Sequence, residues 1–130
     1  MHKMFGGYDY ALFEVPQDEL GGFLKRAEFD GINVTIPYKK AVIPYCAELS
    51  ENARKIGSVN TILRLPDGRL RGDNTDYCGF EHLVRSLGAE IKGKKCLVLG
   101  DGGVAPTIRA VLSDMGAGSI VTVSRRGEDN

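Results

Sequence analysis

Lys39 and Asp76 have the chemistry of a proton-transfer pair. An amine and a carboxylate that face one another can exchange a proton with a small polar substrate, one as the acid/base and the other as its orienting partner. Each stands at the end of a segment that reads as a strand. Asn33, Val34, Thr35, Ile36, Pro37 and Tyr38 lead into Lys39, and Gly72, Asp73, Asn74 and Thr75 lead into Asp76. Pro37 stops a strand ladder and suits a helix's first turn. Open α/β sheets take ligands at the carboxyl ends of their strands, so two such junctions can face one cleft. Spacing alone leaves plainer alternatives open. Lys39 also fits an ordinary surface lysine, and Asp76 also fits a charge placed at a helix's positive end.

A second constellation lies downstream. Gly100, Gly102 and Ala105 fit G-x-G-x-x-[G/A] between an apolar strand at 96–99 and a helix, the setting that a dinucleotide loop requires. Gly100 permits the tight turn, Gly102 lets backbone approach a pyrophosphate, and Ala105 allows close packing of helix on strand. The free N–H groups around Val104 then face the phosphates. Asp101 is repulsive there unless it points outward. The next strand ends in Ser124, Arg125 and Arg126 rather than Asp or Glu. Two guanidinium groups suit a 2′-phosphate, which favours NADP over NAD. A glycine turn without ligand and two solvated arginines remain the simpler alternatives.

The elements that must carry these groups follow from pattern. Residues 8–15 read as a strand. A helix opens after Pro16, with Asp18 and Glu19 at its positive end and Leu20, Phe23, Leu24 and Ala27 on one stripe. A strand at 31–36 precedes a short helix between Pro37 and Pro44. Ser50 caps another helix, with Ala53 and Ile56 inward and Gly57 closing it. Residues 59–65 and 69–72 flank the turn Pro66, Asp67 and Gly68 as a hairpin. A helix from Asn74 or Thr75 carries Phe80, Leu83, Val84 and Leu87 at helical spacing and ends at Gly88. The strand at 96–99 reads as buried on both faces. Val104, Ile108, Val111, Leu112 and Met115 share the face of the helix after it, and a strand at 120–123 completes one βαβ unit. The fold class is α/β, with a boundary in the stretch 88–94.

Composition removes several function classes. Seventeen basic and seventeen acidic residues cancel, so nothing draws the chain broadly to nucleic acid. No apolar run has the length of a membrane span, and the first residues lack a signal peptide's apolar core. These features point to a cytoplasmic protein. Cys46, Cys78 and Cys96 have neither zinc-finger nor redox spacing, so reduced, packed thiols are expected and no metal is assigned.

Together these motifs resemble the shikimate dehydrogenase family. Residues 33–39 are similar to its N-V-T-x-P-x-K, Gly57 to Thr61 to its G-A-V-N-T, and Gly72 to Asp76 with Gly79 to its G-x-N-T-D-x-x-G. The glycine loop and Ser124 to Arg126 match its NADP site in order and spacing. The resemblance implies a substrate-binding α/β unit at 1–88, then the start of a Rossmann-like NADP-binding unit at 89–130. It implies NADPH-dependent, reversible reduction of 3-dehydroshikimate to shikimate. Lys39 and Asp76 become the catalytic pair, and Thr35 and Asn60 substrate ligands. Glu51, Gly100, Asp101, Gly102, Gly103, Val104, Ala105, Ser124, Arg125 and Arg126 become cofactor contacts.

Departures from the family pattern are part of the same reading. The family's opening strand with its Ser-x-Ser is absent, as are its later nucleotide-domain strands, and Asp101 and Pro106 replace commoner small or polar loop residues. The expectation is therefore a partial enzyme with bare strand edges open to self-association. Two alternatives stay open: a quinate/shikimate dehydrogenase that uses NAD, and a non-catalytic binding module on the same fold.

Overall fold

A computed structural model describes residue 4 and residues 6–125; Arg126, an expected cofactor contact, lies outside them. The first sheet is built around a hairpin. β3 (Thr61–Arg64) and β4 (Leu70–Asp73) pair antiparallel across the turn at Pro66, Asp67 and Gly68. That turn closes with Gly68 N–H on the Leu65 carbonyl at 2.8 Å, and the Asp67 carboxylate accepts from Arg69 N–H at 3.0 Å. β1 (Gly31–Asn33) joins the free edge of β3 antiparallel, and β2 (Glu48–Leu49) joins β4 in parallel. The order is β1-β3-β4-β2.

Register explains why distant residues meet. Thr61 opposes both Asn33 and Asp73. The carboxyl ends of β1 and β4 therefore lie at the same end of the sheet as the start of β3. The chain beyond β1 leads to Lys39, the chain beyond β4 leads to Asp76, and Asn60 stands just before β3.

Helices cover this sheet and join it to a second one. α1 (Leu20–Arg26) inserts Leu20 and Leu24 among Val34, Val42, Ala53, Val59, Ile62 and Leu70. Gly21 leaves room for the Tyr45 side chain, since a Cβ there would stand 2.7 Å from its hydroxyl. α2 (Glu51–Ile56) has the expected cap: Ser50 Oγ accepts from Ala53 N–H at 3.1 Å, and Gly57 ends the helix at φ 68°. α3 (Asp76–Ser86) follows β4. β5 (Lys95–Leu99) and β6 (Ser119–Val123) form a separate two-stranded parallel sheet, linked by α4 (Ala105–Asp114). α4 lies between that sheet and helices α2 and α3, with Ala105, Thr107, Val111 and Leu112 buried. The α/β class and the βαβ unit are as the sequence implied.

Five local expectations are corrected. Residues 8–15 form no strand, and the Val15 carbonyl accepts the Tyr38 hydroxyl at 2.5 Å instead of a ladder N–H. α1 starts only at Leu20, so Asp18 and Glu19 precede it. Between Pro37 and Pro44 the backbone makes successive turns and one 3-10 turn, Ile43–Tyr45, because Tyr38, Ile43 and Tyr45 N–H groups bond to carbonyls three residues back. Leu83 and Leu87 of the α3 stripe are exposed, and Val84 alone of the four is buried. Leu97 and Leu99 are exposed too: α4 covers one face of the β5–β6 sheet, and among the described residues no layer covers the other.

One half-exposed polar cluster links the three helices. Asp114, at the end of α4, pairs with Lys55 of α2 and accepts the Tyr77 hydroxyl of α3. Lys55 and then Tyr77 hold the Asp114 carboxyl below its usual range, and Asp114 pushes the Tyr77 hydroxyl up to about 12. A depressed carboxyl stabilises the fold above its unfolded value and loses that contribution as pH falls through the folded one. Asp114→Asn should therefore be less stable than the wild type at neutral pH, with the gap closing below the ordinary carboxylate value of 3.8. Urea unfolding at stepped pH checks this; a pH-independent gap contradicts the cluster's electrostatic role.

Candidate active site

Lys39 Nζ donates to Asp76 Oδ2 at 2.8 Å, across 37 residues of chain. Both side chains are withdrawn from water, 17% exposed for lysine and 34% for aspartate. Three junctions hold them, and Asn60 ties the three together. Its backbone carbonyl accepts from Val34 N–H at 2.7 Å, beyond β1, and its N–H donates to the Asp73 carbonyl at 3.0 Å, at the end of β4. Its side-chain oxygen accepts from Thr75 N–H at 3.0 Å, and its amide nitrogen donates to Thr75 Oγ1 at 3.1 Å. One position before Asn60, Val59 N–H bonds the Lys39 carbonyl at 2.8 Å. The backbone of the lysine is thus fixed to the same strand entry as that of the aspartate.

Asn74 sets the start of α3. It is buried, at 1% exposure. Its Nδ2 donates to the Ser58 carbonyl at 3.0 Å, and its Oδ1 accepts from Asp76 N–H at 3.1 Å. This Asx turn satisfies a helix N–H and directs Asp76 toward Lys39. Asp73 braces the same corner, accepting from Ser50 Oγ at 2.6 Å and Asn74 N–H at 2.7 Å. Sequence reasoning assigned Asn74, Asp73 and Ser58 no such positions. The signal available was the unbroken polar run 73–76, too dense for a simple helix start.

The pair lines an open cleft of about 1880 Å³ with Thr35, Asn60, Thr61 and Thr75. Residues 7–16 form much of its other wall. There Phe13 packs on Phe23 with ring centroids 5.6 Å apart, and Phe23 on Phe29 at 5.8 Å. Thr35, Lys39, Asn60 and Asp76 are therefore brought to one cleft; spacing offered Lys39 and Asp76 for it, and the family resemblance added Thr35 and Asn60. Its polar groups can bind hydroxyls, and its amine and carboxylate can move a proton.

The glycine loop borders this region. A Cβ on Gly103 would meet the Ile36 side chain at 3.6 Å, one residue before Pro37. Gly100 has φ 105°, a conformation that favours glycine, and its N–H bonds the Val123 carbonyl at 2.8 Å. Among the described residues, apart from its two chain neighbours, nothing comes within 4 Å of a Cβ built on Gly102. The backbone is therefore open to approach, and α4 begins at Ala105 with Pro106 tolerated in its first turn. These residues fit the phosphates of a dinucleotide. Asp101 is occupied by Arg109 of α4, 3.0 Å away, a partner that sequence reasoning missed. Ser124 and Arg125 follow β6, Arg125 exposed, and Glu51 is the exposed first residue of α2. Among the described residues, no group of three or more His, Cys, Asp or Glu side chains could hold a metal ion, and no helix is long and apolar enough to cross a membrane.

Asn74 makes the corner testable. Asn74→Ala leaves a buried carbonyl and a helix N–H without their partner, and we expect a loss of about 1–3 kcal/mol in denaturant unfolding. A loss near zero would mean that the corner is held by other contacts.

The chain is similar to known proteins in sequence and in fold. Residues 4–62 match the model of the shikimate dehydrogenase substrate binding domain. A Clostridium beijerinckii shikimate dehydrogenase (NADP(+)) is 42% identical over 124 residues, covering 93% of this chain and 46% of that protein. Among solved structures, a chorismate mutase/shikimate 5-dehydrogenase fusion protein from Clostridium acetobutylicum superimposes with TM-score 0.84 at 41% identity, over 96% of this chain and 47% of that one. Shikimate 5-dehydrogenase from Thermus thermophilus, solved in complex with NADP(H) and shikimate, gives 0.72 at 35% identity, over 86% and 43%. The chain spans about half the length of the curated relatives it matches. Over that span, in sequence and in fold, the chain is similar to shikimate dehydrogenases.

Proposed function

We propose that the chain carries the reacting centre of an NADPH-dependent oxidoreductase that interconverts 3-dehydroshikimate and shikimate. The observation that carries this reading is the 2.8 Å pair of Lys39 and Asp76, set in a hydroxyl-lined cleft beside a dinucleotide loop. We read residues 1–88 as the substrate-binding unit and 89–130 as the start of the nucleotide-binding unit. The separate β5–β6 sheet and the family match at 4–62 support that division.

When bound, NADPH would supply a hydride for the ketone carbon, which leaves the protein to supply a proton to the ketone oxygen. Lys39 does so as an ammonium that donates as the alkoxide forms, and it takes the proton back in the reverse direction. Asp76 orients that ammonium and accepts from a substrate hydroxyl. Thr35 and Asn60 hold further hydroxyls of the ring, so that the reacting carbon faces the nucleotide side of the cleft. Backbone N–H groups of residues 100–105 and the start of α4 hold the pyrophosphate. Ser124, Arg125 and Arg126 select the 2′-phosphate of NADP over NAD, and Glu51 faces the cofactor side.

The test uses the complete natural polypeptide. Lys39→Ala should lower kcat for 3-dehydroshikimate reduction by about 10²–10⁴-fold, with NADPH affinity unchanged by fluorescence titration. Activity within a few-fold of the wild type would remove Lys39 from the reaction.

A further inference from the structure

Asp101 is the anomaly of the nucleotide loop. It lies between Gly100 and Gly102, where a dinucleotide's phosphates approach, and its side chain is 41% exposed. A carboxylate at that place opposes binding in two ways. It repels the phosphates directly. It is also an anion at the entrance to α4, able to take the free N–H groups that a phosphate would use. Arg109, in the second turn of α4, changes both. Its Nη1 donates to Asp101 Oδ1 at 3.0 Å and to Thr122 Oγ1 of β6 at 3.4 Å. One guanidinium nitrogen thus ties loop, helix and second strand together, and draws the carboxylate onto the side of α4.

We propose that Arg109 is a positioning residue for dinucleotide binding: it neutralises Asp101 and holds it off the phosphate path. The proposal rests on the dinucleotide reading above. The residues act as a unit, so the arginine matters only while the carboxylate is present. An ion pair this exposed adds little to the stability of the fold, and its effect falls on an incoming anion.

NADPH titration of four forms of the complete polypeptide tests this: wild type, Arg109→Ala, Asp101→Asn and the double variant, each at low and high salt with thermal midpoints recorded. Arg109→Ala should weaken NADPH by about tenfold at low salt, as expected for a carboxylate released near two phosphate charges. The loss should shrink at high salt. The double variant should return to within about twofold of Asp101→Asn, the sign of coupled sites. Asp101→Asn alone should bind at least as tightly as the wild type, a result that stands even if Arg109→Ala does not fold. Weaker binding by Asp101→Asn overturns the proposal. So does a loss in Arg109→Ala that persists in the double variant, which would place Arg109 on the phosphate itself. No binding of NADPH by the wild type overturns the dinucleotide reading, and this proposal with it.

Discussion

An ammonium and a carboxylate 2.8 Å apart, the first mostly buried and the second partly so, are the constraint around which this fold is arranged. Such a pair is favourable only where its geometry is held from outside, because the loss of hydration offsets much of the attraction. Here the holding is done by backbone. Antiparallel register puts Asn33, Thr61 and Asp73 side by side, and Asn60 bonds to the chain on both sides of it. Lys39 and Asp76 then leave the same sheet end in converging directions.

α4 joins the two halves of the chain. It packs on the β5–β6 sheet, lies against α2 and α3, and presents its N-terminus beside the glycine loop. The contact geometry at Gly103 and Ile36 brings that loop next to the turn that carries Lys39. The Lys55, Tyr77 and Asp114 cluster fixes α4 at its far end. A nucleotide bound at the near end, as proposed, would be kept close to the amine.

The parts of this arrangement that depend on neighbouring residues were legible in the sequence. Ser50 and Gly57 bound α2, Pro66 to Gly68 turn the hairpin, and the glycine triplet sits between a strand and a helix, all as local chemistry requires. Parts that depend on a distant partner were not. Residues 8–15 have an alternating pattern, yet a strand needs a ladder, and Val15 bonds to Tyr38 instead. Leu83, Leu87, Leu97 and Leu99 have apolar spacing without an apolar layer against them among the described residues. β2 is two residues long and exists only because β4 runs beside it. Asp101 looked unfavourable because its partner lies eight residues away on the far side of a turn. In the site itself, residue types made Lys39 and Asp76 candidates and the family resemblance singled them out, while Asn74 and Asp73, which aim Asp76, emerge only from their hydrogen bonds.

The reaction proposed for this chain requires Lys39 and Asp76 to act as one unit on the reacting oxygen. A double-mutant cycle on kcat/KM for 3-dehydroshikimate, with Lys39→Ala, Asp76→Ala and the two combined, measures that most directly. Groups that work together fail together, so the combined variant should be no slower than the worse single one. Losses that multiply, each change costing the same whether or not the other is present, would mean that the two residues act separately and that their contact is only structural.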